Sequence, residues 1–384
     1  MKPTRTAIAL LAGLLVAMPA TAATDVSTKG GLSAENGDEF SFKFGGRIQL
    51  DYAIFDEDNV PMSNGYEFRR ARLFASGTLY QNWDYKAQYD FAGDDLTAKD
   101  LYVRYSGLDN ASVTIGQFKQ PFGLEELTSS KYITFMERSG NAIFATSRRI
   151  GVGYNSASND STFAASFYGQ PVGFEPAGDE GLGLGARYTT LLSKSDDGLF
   201  HLGAAVAIEE AADSDLEELR FRARPSAHLA ERLVDTGTFA GVDTLTKLGV
   251  EAAWVSGPLS VQGEFMTADV ARADGFEDAA FSGYYAFVSY FLDGVTSRPY
   301  KKGSFGRVKA SGVWELGLRL SVVDLNDEDA GFAGGELTDI TIGANYYVNP
   351  NLRFMFNYVM AEGEYIGGAT EEPNAIQVRM SFDF

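Results

Sequence analysis

The last nine residues, Ile376-Gln-Val-Arg-Met-Ser-Phe-Asp-Phe384, constrain the fold more than any other stretch of the chain. Apolar side chains stand at every second position (Ile376, Val378, Met380, Phe382, Phe384), and Gln377, Arg379, Ser381 and Asp383 fill the gaps. A period of two puts one row of side chains on each face of a β-strand. In a soluble sandwich the apolar row is core and the polar row is surface. In a membrane barrel the apolar row meets lipid and the polar row lines a wet lumen. Periodicity alone does not choose between them.

The same alternation recurs from Phe40 to Phe384 with no linker to divide it. Phe40, Phe42, Phe44, Ile48, Leu50, Tyr52 and Ile54 oppose Ser41, Lys43, Arg47, Gln49 and Asp51. Trp83 to Phe91, Trp314 to Leu320 and Leu352 to Tyr358 repeat the theme. At the other end, Lys2 and Arg5, an apolar run from Ala7 to Met18 and the small residues Ala20-Thr-Ala-Ala23 read as a secretory signal peptide over 1–23. The run is shorter than the roughly 20 residues a spanning helix needs. Cysteine is absent, so no disulfide framework or thiolate metal site exists, and only His201 and His228 are present. An exported chain that ends on Phe, as outer-membrane barrels of Gram-negative bacteria usually do, selects the membrane reading. The expected fold is all-β, a transmembrane antiparallel barrel over 24–384.

Strands of about 9–11 residues suit roughly 16 spans, an even number as bacterial barrels require. Ser256-Gly-Pro258, Gly107–Asn110 and Asn349-Pro-Asn351 predict short periplasmic turns. Polar stretches at 56–65, 171–181, 209–215 and 324–337 predict external loops, and Tyr66, Tyr80, Trp83, Tyr346 and Tyr347 an aromatic girdle.

Formal net charge is −20, or −22 without Lys2 and Arg5, which argues against nucleic acid as a partner. The acidic clusters fall between strand patterns, on loops that face lipopolysaccharide, while the apolar faces meet outer-membrane lipid. Arginines carry the inward chemistry. Arg220, Arg222 and Arg224 share one face of a predicted strand whose other face is Leu219, Phe221 and Ala223. An arginine facing lipid costs about 2–4 kcal/mol at the midplane, so three together must face inward. Arg70 and Arg72 share a parity that Arg69 lacks, and Arg47, Arg104, Arg319, Arg353 and Arg379 also fall on polar faces. A file of guanidinium groups would hold and orient oxyanions. The alternative is that these arginines pair with inward acids (Asp84, Asp90, Glu251, Glu264, Glu315) and stiffen a general, weakly selective diffusion porin.

Three segments carry a resemblance: Thr28–Leu32 before Phe40–Gln49, Phe68-Arg-Arg-Ala-Arg72, and above all Gly116-Gln-Phe-Lys-Gln-Pro-Phe-Gly-Leu-Glu-Glu-Leu-Thr-Ser-Ser-Lys-Tyr-Ile-Thr-Phe-Met-Glu-Arg138. With them the chain resembles the phosphate-selective porin O and P family over essentially its whole mature length. That resemblance implies a homotrimer of 16-stranded barrels passing phosphate or polyphosphate. It also implies ladder roles for Arg69, Arg70, Arg220, Arg222 and Arg224, an inward-folded constriction loop in 116–138, and Lys131 as the constriction lysine. Glu125, Glu126, Glu137 and Arg138 are expected to anchor that loop, and Arg47 and Arg72 complete the candidate anion-binding set. No cofactor is implied. A barrel enzyme would need a nucleophile beside a base, and neither histidine has an evident Ser or Asp partner in sequence.

Overall fold

Sixteen strands form the wall: β1 Phe40–Asp56, β2 Gly65–Leu79, β3 Trp83–Asp90, β4 Thr97–Leu108, β5 Ala111–Lys119, β6 Arg148–Ala157, β7 Ser161–Tyr168, β8 Gly183–Lys194, β9 Gly198–Glu210, β10 Val242–Ser256, β11 Leu259–Arg272, β12 Ala279–Phe291, β13 Val313–Asp327, β14 Phe332–Asn349, β15 Leu352–Tyr365 and β16 Asn374–Asp383. This computed structural model describes residues 25–384 except 29, 94, 175–178, 212–218 and 366–367, so the expected signal peptide at 1–23 lies outside the described residues. Each strand is antiparallel to the next. β16 pairs with β1 from Asp383↔Arg47 to Asn374↔Asp56, and the sheet closes.

The terminal phenylalanine completes that closure. The Gly46 N–H donates to the Phe384 carbonyl (3.0 Å), and the Phe384 N–H donates back to Gly46 (3.1 Å). Any Cβ at Gly46 would lie 2.6 Å from the Arg72 carbonyl oxygen and 2.8 Å from the Phe384 ring, so only glycine admits this seam. Below it β1 outruns β16, and a small hairpin, Asp25–Ser27 with Leu32–Asn36, covers the remaining edge of Phe40–Phe44.

Alternation sorts the faces as expected. Ile54, Val103, Ile115, Leu318, Ile342 and Ile376 point outward and are exposed, whereas Gln49, Thr341, Arg319 and Arg379 point inward and are buried. Tyr66, Tyr80, Trp83 and Tyr346 lie on the outer surface or its rim, the Tyr346 ring tilted against Trp314 with centroids 4.9 Å apart. Tyr347 does not belong to that girdle. It has the opposite parity and donates its hydroxyl to Glu315 inside the barrel (2.8 Å).

One end of the barrel carries tight turns, among them 109–110, 257–258 and 350–351. Asn110 (φ 55) and Gly257 (φ 53) take the left-handed conformation there. The other end carries the longer loops. The polar stretch 324–337 is mostly strand rather than loop. β13 and β14 stay paired up to Asp327↔Phe332 and so project beyond the apolar band. Three connections fold inward: 120–147 and the described part of the next long loop, 219–241, from the loop end, and 292–312 from the turn end. The last breaks the short-turn pattern, and no alternation or turn signal announced it.

Replacing Gly46 with Val should destabilise the barrel by about 2 kcal/mol or more, because backbone and ring must both move. Heat-modifiable mobility on a gel checks this, and an unaltered unfolding temperature would contradict the seam.

Candidate functional site

The inward loop 120–147 is seated on the far wall by aromatic packing into a glycine notch. Gly317 and Gly343 face one another across β13 and β14. A Cβ at either would lie 3.0 Å from the ring of Phe135, which is fully buried there. The Arg319 guanidinium lies 4.6 Å from the centre of the same ring, a cation–π contact. At the loop's start, Glu264 of β11 accepts the backbone N–H groups of Leu124 and Glu125, both at 2.7 Å, at the head of a one-turn helix, Leu124–Leu127.

Much of the inward arginine set serves this loop rather than the solvent. Arg353 donates to the Ile133 carbonyl (3.0 Å), Arg319 to the Glu137 carbonyl (2.9 Å) and Arg379 to the Met136 carbonyl. A loop with few backbone partners of its own needs such donors when buried. Arg138 works from within, donating to the carbonyls of Glu125, Glu126 and Thr128 and pairing with Glu126 (3.1 Å). Glu137 is the principal clamp to the wall. Arg69 grips it through two hydrogen bonds (2.9 and 2.8 Å), Arg379 reaches it at 2.6 Å and Arg70 at 3.6 Å.

Arg69 reaches Glu137 although its parity should point it outward. The register slips there: Gln49 faces Arg70, and Leu50 faces Phe68. Arg69 is the extra residue of a β-bulge, which turns two consecutive arginines inward. The expected loop span 116–138 also needs correction. Gly116–Lys119 belong to β5, and the loop runs on to 147 because Gly140–Ile143 form a 3₁₀ turn packed against β12 and β13.

Arg220, Arg222 and Arg224 do not lie on a barrel strand. They sit in the inward loop segment 219–241, where Arg222–Ala223 form a short ladder with Val234–Asp235. The alternation is real, but its apolar side, Phe221 and Ala223, enters a loop core with Phe239, Phe281 and Phe332 instead of meeting lipid. Pro225 follows and cannot extend the ladder. Arg220 forks onto Asp235, Arg224 donates to the His228 carbonyl, and Arg222 is exposed. The loop is fastened by Ser226, which donates to Asp339 (2.9 Å), and by His228 against Glu67 (2.7 Å).

The loops fill the β9–β16 side of the lumen. Open space remains along the wall from β1 to β8, as a cavity of ≈ 1290 Å³. Its lining is strongly basic: Arg47, Arg69, Arg70, Arg72, Lys86, Lys99, Arg104, Lys119, Lys131, Arg138, Arg148, Arg187 and Lys302, against Asp84, Asp100 and Glu126. The cavity thus unites Arg47, Arg69, Arg70, Arg72 and Lys131 from the sequence-derived set and leaves out Arg220, Arg222 and Arg224.

Most of these cations are already paired. Arg72 binds Asp90 (2.6 Å), Lys119 binds Glu126 (3.0 Å), and Arg187 forks onto Glu251. Lys131 lies at the edge of the cavity, 3.3 Å from Asp383 and over the Tyr132 ring. Among the described residues, Arg47, Lys99, Arg104 and Lys302 have no carboxylate within 4.0 Å. Arg47 donates to Ser130 on the loop (2.6 Å) and Arg104 to Thr114 (2.9 Å). Sequence reading singled out neither Lys99 nor Lys302. The first is hidden by a bulge and the second lies on the inward connection 292–312.

That connection meets the inward loop from below. The Phe305 N–H donates to Thr128 (3.3 Å), Gly303 accepts from Arg187 (2.8 Å), and Tyr300 bonds to His201 (2.6 Å). His201 is buried in the wall with its other nitrogen on Glu251 (2.8 Å).

A closed sixteen-stranded barrel narrowed by an inward loop is a pore architecture, and the chain's relatives say which. Residues 42–384 match the family described as phosphate-selective porin O and P. The chain belongs to that family. It is 29% identical over 389 residues to Porin O of Pseudomonas aeruginosa, covering 89% of this chain and 87% of that protein. In fold it is similar to the outer-membrane channel DcaP of Acinetobacter baumannii (TM-score 0.59, 14% identity, 91% and 99% of the two chains). It is also similar to an anion-selective porin from Comamonas acidovorans (TM-score 0.58, 13% identity, 90% and 100%). The molecule is an outer-membrane porin, a channel built on strands.

In this porin two loop carboxylates, Glu126 and Glu137, stay ionised far into acid. Burial alone would raise Glu137, but Arg69, Arg70 and Arg379 outweigh it and hold the carboxyl well below the usual range. Glu126 is pushed down to about 2, burial again being outweighed, by Arg138 and Lys119. A depressed carboxylate contributes stability that is complete above its ordinary value of 4.5 and lost as pH falls through its folded value. Single-channel conductance should therefore hold from neutrality to about pH 4 and become noisy only near pH 2. Separately, Gly343→Val should expel Phe135, loosen the loop and raise conductance. Wild-type conductance in that variant would contradict the notch.

Proposed function

We propose that this porin conducts anions, with phosphate and related oxyanions as the preferred cargo. The observation that carries the reading is the lining of the open cavity, where thirteen lysines and arginines face three carboxylates in a chain of formal charge −20. Adding the four carboxylates that hold lining cations, Asp90, Glu137, Glu251 and Asp383, still leaves a cationic excess. A concave, low-dielectric wall of one sign focuses its field into the lumen and raises the local concentration of counter-ions. Arg69, Arg70 and Arg72 supply field near the loop end, though their guanidiniums are engaged by Glu137 and Asp90. Arg220, Arg222 and Arg224 would steer anions at the mouth rather than form a ladder within the wall. Arg47 and Lys131 stand where loop and wall come together. Lys131, a compact point charge, can exchange Asp383 for a passing anion. Successive weak sites of this kind permit entry and release.

The pore needs no turnover and no cofactor for this task. We further propose that the protein works as a homotrimer in contact with lipopolysaccharide after removal of residues 1–23.

A general, weakly selective diffusion porin is the competing reading. It is favoured by the pairing of Arg69, Arg70, Arg72 and Lys131 with carboxylates. Planar-bilayer recording separates the two. An anion-selective reversal potential in a chloride gradient, with current blocked by added phosphate, supports the first. Indifference to phosphate supports the second. Lys131→Glu should weaken phosphate block by about tenfold, as expected when a charge near the ion reverses sign, while leaving the folded oligomer intact. Undiminished block would remove Lys131 from the anion path.

A further inference from the structure

Strand β4 departs from alternation opposite Gln88. Ala87 faces Leu101 and Tyr89 faces Ala98, so Gln88 alone stands opposite two residues, Lys99 and Asp100. A bulge of this kind re-aims side chains, and here it brings two consecutive charged residues to the same cavity. Asp100 is fully committed, with Lys86 at 2.5 Å and Arg148 at 2.7 Å. Those two cations neutralise it as a source of repulsion. Lys99 is left beside them with no carboxylate of its own.

The bulge is held from behind by one side chain. The Gln117 amide donates to both carbonyls that the bulge displaces from the ladder, Ala98 (3.0 Å) and Lys99 (2.7 Å). Its oxygen accepts the Val172 N–H (2.6 Å), and the residue is 2% exposed. An apolar side chain at 117 would strand two buried carbonyls, a cost of the kind that shifts a register. The bulge at Arg69 uses the same device, but there Glu137 consumes the extra guanidinium. Of the two cations turned inward by a bulge, only Lys99 offers its charge to whatever fills the pore.

We propose that Lys99 is an anion-contacting residue of the pore and that Gln117 is the positioning residue that turns it inward. This rests on the anion-channel reading. The ligand class is a small hydrated oxyanion such as phosphate, for which an ammonium supplies three donors on a mobile stem.

The chain contains no cysteine, so Lys99→Cys creates a unique thiol. In planar bilayers, Lys99→Cys should raise the half-blocking phosphate concentration about fivefold, the effect of roughly one charge at contact distance in water. Lys99→Arg should not. Adding an ammonium-bearing methanethiosulfonate should restore block, and a sulfonate-bearing one should weaken it further. Gln117→Leu should mimic Lys99→Cys, slow thiol modification in the double variant about tenfold as the side chain leaves the lumen, and add nothing to the loss of block. Unchanged block in Lys99→Cys, with wild-type block intact, overturns the anion contact. Undiminished labelling in the Gln117→Leu background overturns the positioning role. A wild type that is cation-selective overturns the channel reading and the contact together. A label at position 99 that then alters the current would still establish that this residue faces the lumen.

Discussion

A backbone N–H or C=O left without a partner in hydrocarbon costs several kcal/mol, so a sheet that crosses a membrane must have no edge. In this porin that demand falls on the meeting of β16 with β1, and on the two hydrogen bonds between Gly46 and Phe384 that finish it. Everything else follows from closure. Once the wall is continuous and its apolar face is turned to lipid, the interior inherits the polar half of every strand. The three inward connections are fastened in two ways: by charge and hydrogen bonds to the polar wall, and by apolar seats such as the Gly317–Gly343 notch and the cluster that joins Phe144, Phe221 and Phe239 to Phe281 and Leu325.

Inward arginines consequently divide into two kinds. Arg319, Arg353 and Arg379 are fully or almost fully buried and spend their donors on loop carbonyls or carboxylates. Those along β2, β4, β6 and β8 border open space. The difference comes from which side the loops occupy. By filling the lumen against β9–β16, they turn a symmetric barrel into an eccentric channel with one basic wall. The acidity of the whole chain is compatible with that wall, because many carboxylates lie on loops or behind the lining as counter-charges.

Much of this is legible in the sequence. The period of two from Phe40 to Phe384 marks the strands, the inward parity of Arg47, Arg70 and Arg72, and the lipid-facing row. The 116–138 motif falls largely on an inward-folded loop, although Gly116–Lys119 are strand and the loop runs on past Arg138. The misreadings share one cause: alternation reports that a chain is extended, not what lies beside it. Phe221 and Ala223 look like a lipid-facing row yet pack inside the barrel, Phe221 against Phe239 and Phe281. Tyr347 looks like girdle yet faces Glu315. Bulges at Arg69 and at Lys99–Asp100 change the parity within a strand and leave no mark in composition.

The sequence by itself determined that this chain closes into a membrane barrel with a polar lumen, since a strict two-residue period allows each side chain only two directions and lipid accepts only one kind. Which cations stay free for an anion was decided by the tertiary structure alone. Pairing depends on distances between residues far apart in the chain: Arg69 with Glu137, Lys131 with Asp383, Asp100 with both Lys86 and Arg148. Those distances are set by where the loops fold and where a strand slips by one residue.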